Sequence, residues 1–273
     1  MAVITIARQV AALGDEIAAA LAKKLGYTFV GRKETEARIV ELGFPQEKLL
    51  KFDERRPKFF ASLSKERDEY LYYLQRAVLE SASKGNCILI GRGASIILED
   101  AENLVPLRFV SDDKTRLARL KKEFDWDDKK AQQRIDESDA NRRGFHKSFF
   151  NSENENAQHF MLTLNTARLS IDECVSLIET LVKNHVTPER DRLGKERIER
   201  MLKAQCVVNQ LIFDYKLNIN FLRASVDGNV ITLQGVADSI SIAEQAVQTA
   251  ARILPSCEIR NAISIVQDFK TYQ

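Results

Sequence analysis

The side chains best suited to chemistry in this chain are arginines that follow short apolar runs. Arg8 comes directly after Val3-Ile4-Thr5-Ile6-Ala7, and Arg92 stands between Gly91 and Gly93 after Cys87-Ile88-Leu89-Ile90. Arg142 and Arg143 form a pair in a charged helical stretch. A guanidinium presents a planar fork that matches phosphate oxygens. In open parallel sheets, ligands gather beyond the carboxyl ends of the strands. Several arginines converging there, beside a helix start, suit phosphoryl transfer, in which positioning and charge neutralisation supply most of the catalysis. Taken singly, each arginine also reads as a solvated cation. Asp136, Asp139 and Arg143, spaced by three and four, share one helical face. They read either as a mobile lid or as an exposed, salt-bridged helix, and the spacing alone favours the second. His146 and Lys147 read either as loop residues that touch phosphate or as merely solvated ones, the second being the commoner case, and Trp126 reads as a contact at a helix start.

The elements that must position these groups are legible in outline. The β-branched run at 3–7 reads as a buried strand, and the Ala-rich stretch at 16–25 reads as a helix ended by Gly26. Strand, turn and helix in that order form the layout of a phosphate-binding loop, G-x-x-x-x-G-K-[ST]. The turn here is Arg8-Gln9-Val10-Ala11-Ala12-Leu13-Gly14-Asp15-Glu16. Of the glycines only Gly14 is present, and Asp15 stands where the phosphate-binding cation belongs. Asp15 and Glu16 also suit the first turn of a helix, where acids complement the dipole.

Further strands are expected at 87–90, 105–110 and 161–165, with helices at 34–42, 65–84, 111–124, from 127 or 128 onward, and at 170–183. This alternation predicts an α/β domain over residues 1–185, with a parallel sheet covered on both faces and the first strand central. Thr187-Pro188-Glu189 is a strong helix start, and it opens a helical connector assigned to 186–206. Strand-like runs at 221–226 and 230–236 flank Asp227-Gly228-Asn229, a hairpin signal. With a helix at 239–254 and a strand at 258–266, they predict a small α+β domain over 207–273.

Composition narrows the function classes. The chain has 273 residues, 44% hydrophobic and 29% charged, with a formal net charge of +2. That balance gives no bulk attraction to nucleic acid or an anionic membrane. No apolar run is long enough for a membrane span, and the start carries no signal-peptide pattern. The four cysteines and three histidines are dispersed, which suggests neither a disulfide framework nor a zinc site. The expectation is a cytoplasmic protein with reduced thiols.

Several motifs, in order, resemble the cytidylate kinase-like family. They are Ile4-Thr5-Ile6-Ala7-Arg8-Gln9 with Gly14, Glu16-Ile17-Ala18 and Leu25-Gly26-Tyr27; then Phe52-Asp53-Glu54-Arg55-Arg56-Pro57; then Gly85-Asn86-Cys87-Ile88-Leu89-Ile90-Gly91-Arg92-Gly93-Ala94; and Leu164-Asn165-Thr166 with Arg168-Leu169-Ser170. The resemblance covers about residues 1–185. It implies a P-loop kinase fold and transfer of the ATP γ-phosphate to a nucleoside monophosphate such as CMP, with Mg²⁺. By the same resemblance, Gly14 and the N–H groups of Asp15 and Glu16, with Arg8, bind the ATP phosphates. Gly91, Arg92 and Gly93 bind the acceptor, Arg142 with Arg143 serves as the lid, and Glu16 is a metal ligand.

The family has a glycine-rich turn where this chain has Ala11-Ala12-Leu13, and a basic residue where it has Asp15. Such a charge reversal exchanges an attraction for a repulsion of about 4 kcal/mol at ~4 Å and an effective dielectric of 20. Mg²⁺ or Arg8 must compensate if ATP binds. In true cytidylate kinases an Asp follows the arginine matched by Arg92; here it is Gly93. The stretch 230–239 resembles the centre of a BON domain, which implies a module that binds a small ligand or a protein partner. The readings are thus a nucleoside monophosphate kinase, a non-catalytic nucleotide sensor with that module as its reporter, or an adaptor built on an inactive kinase fold.

Overall fold

The computed structural model describes residues 2–49, 52, 65–153 and 155–266. Most of the stretch Phe52-Asp53-Glu54-Arg55-Arg56-Pro57 lies outside the described residues. The chain divides into two compact units, Met1–Ile198 and Glu199–Gln273.

In the first unit, β1 (Val3–Arg8), β2 (Thr28–Val30), β3 (Cys87–Ile90), β4 (Leu104–Val110) and β5 (Leu162–Asn165) form one sheet in the order β2-β3-β1-β4-β5. Every pairing is parallel, and β1 is central, with Val3 opposite both Cys87 and Leu104. All four residues of β3 are buried, as expected of a strand covered on both faces. Burial pushes the Cys87 thiol up to about 12, so this cysteine is an inert part of the core.

The helices follow the local signals. Helix α1 (Gly14–Leu25) ends on Gly26 in the left-handed region, φ 69, with its N–H bonded to the Ala22 carbonyl. It packs on one face of the sheet with α8 (Ile171–His185), where Ile17, Leu21, Cys174 and Ile178 close over Ile4 and Ile6. Helices α2 (Arg32–Glu41), α3 (Gln46–Leu49), α4 (Lys65–Ser83) and α5 (Ala94–Ile97) come before β4. Helices α6 (Asp113–Phe124) and α7 (Asp128–Phe150) lie between β4 and β5. Asp112 caps α6 through Thr115 N–H at 2.8 Å, and Asp127 caps α7 through Lys130 N–H at 2.7 Å. Ser170 and Glu173 form the capping box of α8. Trp126 stacks on Phe124 at 4.6 Å beside the start of α7, as its sequence position suggests.

Helix α7 corrects one expectation. It runs unbroken through Gly144, so His146 and Lys147 are helical rather than loop residues. The glycine costs roughly 1 kcal/mol of propensity there. Packing offsets that cost, because Phe145 and Phe149 are buried on the same face.

Helix α9 (Pro188–Asn209) contains the division between the units and runs on into a single π turn, Gln210–Asp214. In the second unit β6 (Ile219–Asp227) and β7 (Val230–Ala237) form the expected antiparallel hairpin around Gly228. After α10 (Ile240–Ile253), β8 (Glu258–Ile265) returns parallel to β7, giving the order β6-β7-β8. The small residues Ala243, Ala246 and Ala250 form the buried side of α10. Among the described residues, no helix is long and apolar enough to cross a membrane.

Candidate functional site

The turn between β1 and α1 is left-handed at two residues that are not glycine, Ala11 (φ 58) and Leu13 (φ 56). Each such conformation costs an L-residue on the order of 1–2 kcal/mol, so neighbouring interactions must hold the backbone. The main-chain path is closed by Gln9 N–H to Phe109 O at 3.1 Å, Ala12 N–H to Gln9 O at 3.3 Å and Ile17 N–H to Leu13 O at 2.9 Å. The Gln9 side chain accepts from Ser111 N–H at 3.0 Å, which ties the turn to the end of β4. Two arginines of α6 complete the frame. Arg116 donates to Val10 O at 3.1 Å and Arg119 to Ala11 O at 2.9 Å.

Gly14 opens α1 directly beneath Arg8. A Cβ on Gly14 would lie 2.7 Å from Arg8 Cγ, so glycine is what lets the arginine stem lie across the helix start. Arg8 Nε then stands 3.5 Å from Asp15 Oδ2, with the Arg8 side chain mostly buried and the Asp15 carboxylate exposed. A cation from the end of β1 thus sits beside the acid that replaces the usual loop cation.

Two adjoining clefts open at the carboxyl edge of the sheet, and both are lined by Ala7, Arg8 and Arg142. The first continues over Thr5, Gly91, Gly93 and Ser95 to Phe145 and His146. Thr5 is buried, and its hydroxyl has no hydrogen-bond partner among the described residues. The second continues to Gln9, Arg108, Asp139 and Glu155. Arg108 lies over the Phe160 ring at 5.8 Å. Burial lowers its pKa from the ordinary arginine value, while the charges of Glu155 and Asp139 oppose that shift; an arginine stays charged in either case.

The positions singled out in the sequence separate into two groups. Arg8, Gly91, Gly93 and Arg142 come together at the first cleft, and Arg142 also bonds to Ser138 Oγ one turn back on α7. Arg143 does not join them; it is exposed and pairs with Glu155 at 3.3 Å. Arg92 is turned away into the interior, with a side chain only 3% exposed. It donates to Tyr70 Oη at 3.0 Å, to Phe52 O at 3.1 Å and to the Glu36 carboxylate. The space beside Gly93 holds the Phe150 ring, which a Cβ there would strike at 2.2 Å, rather than leaving the backbone open.

The shared helical face of Asp136, Asp139 and Arg143 also resolves differently. Asp139 accepts two bonds from Arg116, both at 2.9 Å, Asp136 accepts from Gln132 at 3.0 Å, and Arg143 reaches Glu155. Sequence reasoning missed Arg108, Arg116 and Arg119. The first lies in an apolar strand, and the others in a Lys/Arg-rich helix that reads as solvated. A charged residue inside the apolar run of β4 and the i, i+3 spacing of Arg116 and Arg119 are the signals that point to them.

Metal-binding capacity here is slight. Among the described residues no three His, Cys, Asp or Glu side chains gather as a metal cage. Asp15 faces Arg8, which leaves the exposed Glu16 carboxylate in the first turn of α1. Mg²⁺ is often held by one or two carboxylates plus phosphate oxygens and waters. Glu16 therefore fits a Mg²⁺ that arrives on a nucleotide, not one held by protein alone.

The model of the cytidylate kinase-like family matches residues 3–168, well over half of the chain. The chain therefore belongs to that family. Comparison with curated proteins returns no match. Among solved structures, an uncharacterized protein from Eubacterium ventriosum superposes with a TM-score of 0.51 at 16% identity, covering 67% of this chain and 99% of its own. The YorR protein of Bacillus subtilis, in complex with phosphorylated GDP, gives 0.41 at 15% identity, with coverages of 68% and 99%. Shikimate kinase from Bacteroides thetaiotaomicron gives 0.41 at 16%, with coverages of 67% and 98%. The first likeness is one of fold; the other two superpositions are too loose to support more.

Proposed function

We propose that this member of the cytidylate kinase-like family transfers the terminal phosphoryl group of ATP to a nucleoside monophosphate, CMP or a related nucleotide. The observation that carries the reading is the convergence of Arg8 and Arg142 on one cleft beside the start of α1. The first N–H groups of a helix have no intrahelical partners and favour an anion. Arg8, lying across Gly14, supplies the charge that Asp15 does not. Arg142 approaches from α7 and would neutralise the phosphoryl group in flight. An acceptor phosphate oxygen attacks the γ-phosphorus, the bond from that phosphorus to the β–γ bridging oxygen breaks, and the electron pair leaves with ADP. Glu16 would hold Mg²⁺ on the nucleotide, where the ion shields the phosphate charges. Gly91, Gly93 and the Thr5 hydroxyl line the acceptor side. Arg92 would reach an acceptor phosphate only by exchanging its Glu36 and Tyr70 partners.

The second reading is a nucleotide-binding protein without turnover. It is favoured by Asp15 at the position of the loop cation and by the two left-handed non-glycine residues. In that case the unit Glu199–Gln273, BON-like in sequence, would report the bound state to a small ligand or protein partner.

The deciding assay is coupled ADP release with CMP, dCMP, UMP, AMP and GMP at several Mg²⁺ concentrations, run on the wild type and on Asp15→Lys. Turnover with CMP supports the kinase and sinks the sensor. Silence with every acceptor, in folded protein that still binds ATP, sinks the kinase. In an active enzyme Asp15→Lys shifts the Mg²⁺ dependence of ATP binding. In a sensor it raises ATP affinity without turnover.

A further inference from the structure

The β1–α1 turn keeps a glycine-like backbone without the glycines, and α6 supplies the reason. Arg116 and Arg119 bond the carbonyls of Val10 and Ala11, at 3.1 Å and 2.9 Å. Those carbonyls belong to the two peptide planes that flank the Cα of Ala11. Because each peptide is planar, holding both planes sets φ and ψ of the residue between them. Ala11 sits at φ 58, a state that glycine visits freely and alanine resists. In a trans peptide the N–H points opposite the C=O. Carbonyls drawn towards α6 therefore turn the adjoining N–H groups away from it; that of Ala12 closes the turn on Gln9 O at 3.3 Å, and that of Ala11 has the polarity an anion-binding turn requires.

We propose that Arg116 and Arg119 are positioning residues that hold this turn in its anion-binding shape in place of the missing glycines. The identity of the anion rests on the nucleotide reading above. Both arginines are anchored on their far sides. Arg116 is buried, and its Nη2 donates to both carboxylate oxygens of Asp139 on α7, three residues before Arg142. Arg119 reaches Thr166 beyond β5, at 2.6 Å to the carbonyl and 3.1 Å to the hydroxyl. The clamp thus aligns the turn with the helix that carries Arg142, without touching the ligand itself.

Arg119→Gln is the primary variant, because it leaves the Arg116–Asp139 pair intact. Asp139→Asn is the second; it loosens Arg116 without emptying a buried site. Two measurements apply to each. The intraresidue amide-to-Hα nuclear Overhauser effect of Ala11, strong only at positive φ, reads the shape in the absence of ligand. Calorimetric titration with Mg²⁺–ATP and with inorganic tripolyphosphate reads the function.

Arg119→Gln is expected to weaken the Ala11 signal and to lower both affinities on the order of tenfold. Asp139→Asn should do the same to a smaller degree. Adding Ala11→Gly to Arg119→Gln should recover most of the affinity, a rescue that a merely stabilising ion pair does not predict. An unchanged signal and unchanged affinities in folded Arg119→Gln overturn the clamp, and so does failure of the glycine to rescue. A wild type that shows the Ala11 signal but binds neither ligand fails the nucleotide reading instead, and the signal in Arg119→Gln still decides the clamp.

Discussion

The turn after β1 and the turn after β3 are built from the same parts and used in opposite ways. Each follows an interior, buried strand, each passes through left-handed backbone, and each has one arginine, at the strand end or within the turn. The turn after β3 has glycine on both sides of Arg92, yet its arginine is locked into the interior by Glu36, Tyr70 and the Phe52 carbonyl. The turn after β1 lacks all glycines but Gly14, yet its arginine lies along the wall of both clefts. Glycines next to an arginine therefore do not identify the arginine that meets a ligand. What decides it is which acceptors of hydrogen bonds stand within reach of the guanidinium.

The sharpest way to break this contrast is Arg92→Ala. Removing Arg92 takes a buried donor from the Tyr70 phenol, the Phe52 carbonyl and Glu36, although Glu36 keeps Arg32 at 2.9 Å. Because Glu36 retains some solvent, the expected loss is about 3 kcal/mol rather than the upper end of such effects. Urea melts check it, and a loss below about 1 kcal/mol would return Arg92 to the ligand-binding group. This differs from the acceptor-binding role that the resemblance implies for Arg92.

Arg8→Met tests the other turn. ATP affinity should fall by roughly tenfold or more, since a charge-assisted phosphate bond is worth about 1.5–3 kcal/mol. Stability should change by less than about 1 kcal/mol, because the Asp15 partner is exposed. Equal losses in both measurements would make Arg8 a structural residue like Arg92. Gly14→Ala probes the same contact from the helix side. The new methyl group would lie 2.7 Å from Arg8 Cγ and 2.8 Å from Arg8 Cβ, which is fixed to β1, so the backbone must shift as well as the guanidinium. A stability loss of about 1–3 kcal/mol is expected in the melt, together with weaker ATP binding.

The smallest effect is expected at Arg143. Its partner Glu155 is also exposed, and Arg143→Ala should move stability by no more than about 0.5 kcal/mol. Turnover, where present, should be unaltered. A large kinetic loss would show that Arg143 joins Arg142 in the cleft once ligand is bound.

Much of the scaffold can be read from local pattern. The β-branched run of β1 and the uninterrupted apolar stretch of β3 mark strands buried on both faces, and alternation with helices makes the sheet parallel. The caps Asp112, Asp127 and Ser170 stand at the helix starts where their short polar side chains can reach a free N–H. These features depend on residues a few positions apart, so the sequence carries them.

The use of each arginine was decided only in three dimensions. Arg92 finds its acid 56 residues earlier, in α2, and Arg116 bonds a loop carbonyl 106 residues away. His146 joins the cleft because buried phenylalanines carry α7 past Gly144. A guanidinium has five donors and a long, flexible stem, so its local sequence says little about which acceptor it will meet. Packing of distant helices determines that, and with it whether an arginine supports the fold or faces the ligand.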